Sequence, residues 1–160
     1  MNYEEWISEV LQRLERSELA ERSELCGCST AEISEVEAHA GAQLPGSYRA
    51  FLASIGRGAG RFFGGTIVFY PQVLSLRSAA EALLLEPAAN LTLPSNAFVC
   101  AMHEGYLFYW FPLTEDNDPP VYRYLEGDVR YAIESEKFTL FVEKRLREEL
   151  NARQIRNGNY

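Results

Sequence analysis

Chemistry could start at four places in this sequence: a histidine beside a carboxylate, two cysteines one residue apart, a glycine run holding two arginines, and a short acidic run. His103-Glu104 stands before Gly105, between two apolar stretches. Acid–base work by such a pair needs a nucleophile or a water held within reach, and neither a Gly-x-Ser-x-Gly nor a Cys/His set accompanies it. The pair reads as a surface turn. Cys26-Gly27-Cys28 offers two thiolates, but zinc sites need further ligands at CxxC-like spacings, and only Cys100, His39 and His103 remain to supply them. It reads as a loop with free thiols. Gly56-Arg57-Gly58-Ala59-Gly60-Arg61 follows a helical pattern rather than a strand and lacks the P-loop lysine, so it reads as a flexible hinge that passes close to a sheet. Glu115-Asp116-Asn117-Asp118, before Pro119-Pro120, lacks the glycine and closing glutamate of an EF-hand and reads as a solvated acidic loop able to meet a basic partner. No metal, cofactor or catalytic residue is expected, and the chain does not read as an enzyme.

The aromatic residues say more. Tyr106, Phe108 and Trp110 share one face of a strand, and Leu107, Tyr109 and Phe111 the other. Tyr122, Tyr124 and Tyr131 follow. If helices cover one face, the other stays aromatic and is rimmed by Glu115, Asp116 and Asp118, which is the composition of a protein-binding surface. Strands buried on both faces are the competing reading. On the first reading the partner-contact residues are Tyr109, Trp110, Tyr122, Glu104, Glu115, Asp116 and Asp118, with a strand over Phe62–Tyr70 beside them.

The charge balance points the same way. The 160 residues carry 23 acidic and 15 basic side chains, a net charge of −8, which argues against direct contact with nucleic acid and suits a basic protein partner. Residues 1–40 hold ten Glu against Arg13, Arg16 and Arg22. Three cysteines make a poor disulfide framework, and neither a signal peptide nor a membrane span is expected, so the cytoplasm is the expected compartment.

These residues need elements to position them. Trp6, Ile7, Val10, Leu11 and Leu14 predict an amphipathic helix over 3–16. Glu-Arg-Ser-Glu-Leu then occurs twice, at 15–19 and 21–25, a spacing that matches neither helix nor strand and reads as chance. Ser29-Thr30-Ala31-Glu32 predicts a capping box opening a helix that Gly41 ends. Tyr48, Phe51, Leu52 and Ile55 predict a third helix, with Pro45 at its first position and Gly56 as a left-handed stop. A β run over Thr66–Tyr70 and a helix opened by Ser78 and blocked by Pro87 come next. Two hairpins follow, Phe98–Met102 with Tyr106–Phe111 and Val121–Leu125 with Val129–Ile133. A helix capped by Ser135 closes the chain, and Asn151–Tyr160 reads as a frayed tail. The order predicts one α+β domain over 1–160: a twisted, mostly antiparallel sheet of about four to six strands with N-terminal and C-terminal helices on one face.

Leu44-Pro45-Gly46-Ser47-Tyr48-Arg49-Ala50-Phe51-Leu52, then Ile55-Gly56 and the glycine run, resembles the signature of the SUKH superfamily. Ile33-x-x-Val36-Glu37 before it, and Gly105-Tyr-Leu-Phe108, Asp118-Pro-Pro-Val121-Tyr122 and Phe138-Thr-Leu-Phe141-Val142 after it, occur in the order of that superfamily. The resemblance covers about 29–146 and leaves 1–28 as a helical extension. Leu44, Pro45, Tyr48, Phe51, Leu52 and Gly56 carry the fold signature. The superfamily takes in a fungal cell-wall synthesis regulator and many bacterial immunity proteins, non-enzymes that neutralise secreted polymorphic toxins, often nucleases. The resemblance therefore implies a cognate toxin domain as partner. A regulatory scaffold akin to the fungal protein is the alternative, and a small hydrolase is a more distant one.

Overall fold

The computed structural model describes residues 1–86 and 89–158. Helix α1 (Tyr3–Arg16) starts where the Asn2 side chain accepts the Glu4 N–H at 3.0 Å, with Glu4 and Glu5 at its positive end. Trp6, Ile7, Val10 and Leu14 form its buried face. A short strand, β1 (Leu25–Cys26), leads to α2 (Thr30–Ala40), which ends at Gly41 with φ 71°. The Ser29 hydroxyl accepts the Glu32 N–H at 3.2 Å, but the expected capping box is only half made, because the Glu32 carboxylate turns to Arg57 at 2.9 Å.

Helix α3 (Gly46–Ile55) buries Tyr48, Phe51, Leu52 and Ile55, as their spacing predicts. Two details differ. Pro45 precedes the helix rather than opening it, and Gly56 has φ −61°, so it is not the left-handed stop expected. A Cβ on Gly56 would lie 2.6 Å from Cys28 Sγ and 2.5 Å from the Leu52 carbonyl oxygen. The glycine is there for close approach, not for backbone hand. The glycine run beyond it is packed rather than flexible: β2 (Gly58–Ala59) pairs with β1, and the Arg61 N–H donates to the Leu19 carbonyl at 2.8 Å.

The main sheet is antiparallel, ordered β3 (Thr66–Ile67), β4 (Ala97–His103), β5 (Leu107–Pro112), β6 (Val121–Leu125), β7 (Ala132–Ser135). Neither Thr66–Tyr70 nor Phe62–Tyr70 is a full strand. Only Thr66 and Ile67 pair, because the Tyr70 N–H donates to the Gly56 carbonyl at 2.7 Å and draws the chain away to the end of α3. Helix α4 (Leu76–Leu84) begins before Ser78, and Glu81 pairs with Arg77 at 2.9 Å instead of closing a cap. Pro87 lies outside the described residues. The β4–β5 turn is shifted by one residue, running through Glu104, Gly105 and Tyr106, with His103 opposite Leu107. The second hairpin is looser than predicted. Val129 and Arg130 stay out of the sheet, and Tyr131 leaves the ladder to lay its ring 5.2 Å from Trp110, its hydroxyl donating to the Thr92 carbonyl at 3.0 Å.

Helix α5 (Phe138–Asn157) takes no cap from Ser135, which ends β7. It also runs through 151–157, where a frayed tail is expected. Ala152, Arg153 and Gln154 favour helix, and Arg153 reaches back to Glu18 at 3.1 Å. Asn159 and Tyr160 lie outside the described residues.

Both faces of the sheet are covered. On one, Tyr48 sits 5.2 Å from Phe98, 5.2 Å from Phe111 and 5.3 Å from Phe138, and Tyr109 lies 5.0 Å from Phe141, so α3 and α5 close that side. On the other, Trp110 stacks on Tyr122 at 4.7 Å and Phe108 meets Tyr124 at 5.3 Å, with Tyr131 folded over them and Leu91 and Leu93 packed against the core. Among the described residues no helix is long and apolar enough to cross a membrane.

Candidate partner-binding surface

The residues expected to meet a partner do not form one patch. Tyr109 and Trp110 are 4% and 6% exposed and point to opposite faces of β5, each into a packed layer. Tyr122 is half-buried, stacked on Trp110. The expectation of an exposed aromatic face is therefore corrected: the strands are apolar on both sides because both sides are core. Asp118 is also inside. Its Oδ1 accepts the Thr139 N–H at 2.9 Å and its Oδ2 the Thr139 hydroxyl at 2.7 Å, so it caps α5 instead of facing solvent. Glu115 and Asp116 are exposed, and Asp116 Oδ1 accepts the Asp118 N–H at 2.9 Å, which shapes the loop. Glu104 is exposed at the other end of β5. A strand of this length, at about 3.3 Å per residue, holds the two acidic sites roughly 20 Å apart.

The residues that could have done chemistry are tied into structure. His103 Nδ1 shares a hydrogen bond with Thr66 Oγ1 at 2.9 Å, the side-chain counterpart of their cross-strand pairing, while Nε2 stands 3.9 Å from Glu104 Oε2, beyond hydrogen-bond reach. Cys26 is exposed; Cys28 is buried, and burial pushes its thiol up to about 11, away from the reactive thiolate form. Among the described residues no group of three or more His, Cys, Asp or Glu could hold a metal ion.

Sequence reasoning missed the ionic scaffold of α5. Glu134, bulged out of the β6–β7 register, is taken by Lys144 at 2.8 Å, by Arg123 at 3.7 Å and by Arg145. The Arg145 guanidinium also lies over the Tyr109 and Phe141 rings at 5.2 and 5.6 Å. Glu149 accepts the Phe63 N–H at 2.8 Å, and burial raises its pKa. A cleft of about 590 Å³ beside it is lined by arginines and glutamates together, Arg61 and Arg153 facing Glu148 and Glu149, so it presents no single charge. The periodicity of α5 could not reveal most of these contacts, because only Phe141 lies on α5 itself, whereas Glu134, Tyr109 and Phe63 lie elsewhere in the chain.

A different surface is open. Helices α1 and α3 pack together and leave between them a cleft of about 940 Å³ with an apolar floor that includes Ile7, Leu11 and Ala53. No curated protein matches the chain. The SMI1 / KNR4 family (SUKH-1) model matches residues 27–144, which takes in the signature helix α3 and the whole five-stranded sheet, and the chain belongs to that family.

Proposed function

We propose that this protein is an immunity protein that binds a cognate secreted toxin domain and neutralises it by stoichiometric occlusion in the cytoplasm. The observation that carries the reading is membership of the SMI1 / KNR4 (SUKH-1) family over 27–144. The net charge of −8 supports a basic toxin, a nuclease among the candidates, because complementary charge speeds encounter and fixes orientation. Exposed Glu115 and Asp116 can steer such a partner from the rim; the buried Tyr109, Trp110 and Asp118 have no part in the contact. The chain masks its target without turning over a substrate.

The test is co-expression with the toxin domain encoded beside it. Growth should be restored, and the two chains should sediment as a complex of fixed stoichiometry whose association rate falls as salt is raised. Neutralisation that needs only catalytic amounts of this protein would refute the reading.

A further inference from the structure

The last cross-strand row of the main sheet is Thr66, His103, Leu107 and Leu125, on the face that carries Tyr109. Tyr109 is covered by α5 through Phe141, whereas Leu125 is exposed and the other three of the row are half-buried. Thr66, His103 and Leu107 line a pocket of about 370 Å³ that α5 completes with Arg145, Glu148 and Glu149. Tyr106, 37% exposed, also stands in its lining.

The charges that line this pocket do not balance. His103 is turned to Thr66 through Nδ1. Arg145 and Glu148 pair with each other at 3.3 Å, and Arg145 is also held by Glu134 and donates to the Tyr109 hydroxyl at 3.2 Å. Glu149 is left over. Its Oε1 accepts the Phe63 N–H at 2.8 Å, but its Oε2 takes no hydrogen bond and the residue enters no ion pair among the described residues. The arginines on its far side are spent elsewhere. Arg61 donates to the Glu18 carbonyl at 2.6 Å, Arg153 pairs with the Glu18 carboxylate at 3.1 Å, and Arg156 donates to the Ala152 carbonyl at 3.4 Å. Burial raises the Glu149 pKa against the opposing pull of Arg145 and Arg156. A half-buried carboxylate with one oxygen unpartnered is stabilised by a single cation brought to it. Two more carboxylates stand at the same end of the sheet with no lysine or arginine partner. They are Glu104, next to His103, and Glu126, whose N–H donates to the Tyr106 carbonyl at 2.8 Å.

Among cations, an arginine side chain matches the rest of the lining. Its methylene stem suits Leu107, and its flat guanidinium suits both a carboxylate and the exposed Tyr106 ring. We propose that this pocket seats one arginine of a basic protein partner, its guanidinium on Glu149 Oε2 and against Tyr106, its stem on Leu107. This rests on the reading that the chain works by binding a protein. It places an anchor of the partner at the hairpin end of the sheet. A net charge of −8 on each copy opposes self-association as the use of this pocket.

The probe is N-acetyl-arginine amide, titrated into the full-length protein and followed by amide chemical shifts, with N-acetyl-citrulline amide as its neutral isostere. The arginine probe should move the amides of 63–66, 103–107 and 145–149 saturably, at concentrations on the order of millimolar. The citrulline probe should bind at least about tenfold more weakly. Glu149→Gln keeps an acceptor for the Phe63 N–H while removing the charge, and should also weaken binding at least about tenfold. Tyr106→Ala should weaken it about two- to fivefold. Glu9→Gln, an equal loss of charge on α1, should not weaken it. If Glu149→Gln is unfolded by circular dichroism, Tyr106→Ala and the comparison of the two probes on the unmodified protein decide. No saturable shifts, shifts centred on another part of the chain, or equal affinity for both probes overturn the proposal. So does a dimer of this chain that Glu149→Gln dissolves, which would make a second copy the occupant. Arginine seated in the pocket, with no toxin neutralised by the unmodified protein, would uphold the pocket and remove the immunity reading. Toxin bound and neutralised equally well by folded Glu149→Gln would remove the anchor and leave immunity standing.

Discussion

Replacing Asp118 by alanine distinguishes a helix cap from a surface carboxylate. The side chain is 8% exposed, and both its oxygens are spent on Thr139, at 2.9 Å to the N–H and 2.7 Å to the hydroxyl. Lys137, the residue before α5, offers no side-chain cap of its own. Losing a cap costs about 1 kcal/mol, and leaving buried donors on Thr139 unpaired adds about 1–3 kcal/mol. Asp118→Ala should therefore lose about 2–4 kcal/mol, read as a lower urea midpoint at unchanged slope. For a chain of this size that corresponds to a fall in Tm on the order of 10 °C. Asp118→Asn keeps an acceptor oxygen and should fall between the two. Adding Thr139→Val to Asp118→Ala removes the stranded hydroxyl, so the pair should cost less than the separate changes together. If Asp118→Ala keeps its midpoint and only slows association with the partner, the carboxylate is a steering group at the surface and the capping argument is wrong.

Two further outcomes follow from burial. Trp110→Ala should lose about 3–5 kcal/mol in denaturant unfolding, because the ring is core on the second face of the sheet; a loss under about 0.5 kcal/mol would return it to the surface. In the folded protein, iodoacetamide at mildly alkaline pH should label Cys26 and spare Cys28 and Cys100, with all three reacting in denaturant. Because folding raises the Cys28 pKa from its ordinary 9.0 to about 11, the unfolded chain gives up that proton first. Stability is then fully present below about 9 and falls as pH climbs from there towards 11, and a flat urea midpoint across that window would contradict the buried thiol.

What could be read in advance was local. The bounds of α1 and α2, the buried face of α3 and the first hairpin follow from side-chain spacing and turn residues a few positions apart, and the structure has them. What could not be read depends on distant partners. Glu32 looks like half of a capping box until Arg57, 25 residues on, takes its carboxylate. Asp118 looks like part of a solvated acidic run until Thr139 claims both oxygens. Gly27 shows nothing unusual in sequence, yet a Cβ there would lie 1.8 Å from the Ala53 carbonyl oxygen, so the step between the two cysteines admits no side chain. The aromatic strands carry the same pattern whether one face or both are covered; Tyr131 and the Leu91–Leu93 stretch decide it, and their folding back is not a periodic signal.

That second layer also bears on where specificity can lie. A SUKH-1 sheet with one open aromatic face could vary its partners by changing strand residues. Here each such change would disturb one of two packed layers, at a cost comparable to a core truncation. Tyr48 shows the constraint most plainly: its ring meets Phe51, Phe98, Phe111 and Phe138, so the signature helix is the element on which sheet and C-terminal helix are assembled. The outer side of the same helix is only partly free: a Cβ on Gly46 would lie 3.1 Å from the Tyr3 ring, and Gly27 lies against the Ala53 carbonyl. The Ala53 side chain and Glu4, Glu5 and Glu9 on α1 are exposed, so a change of charge at these positions does not reach the core. A helix pinned to the core by one face tolerates change only where its other face stands in solvent.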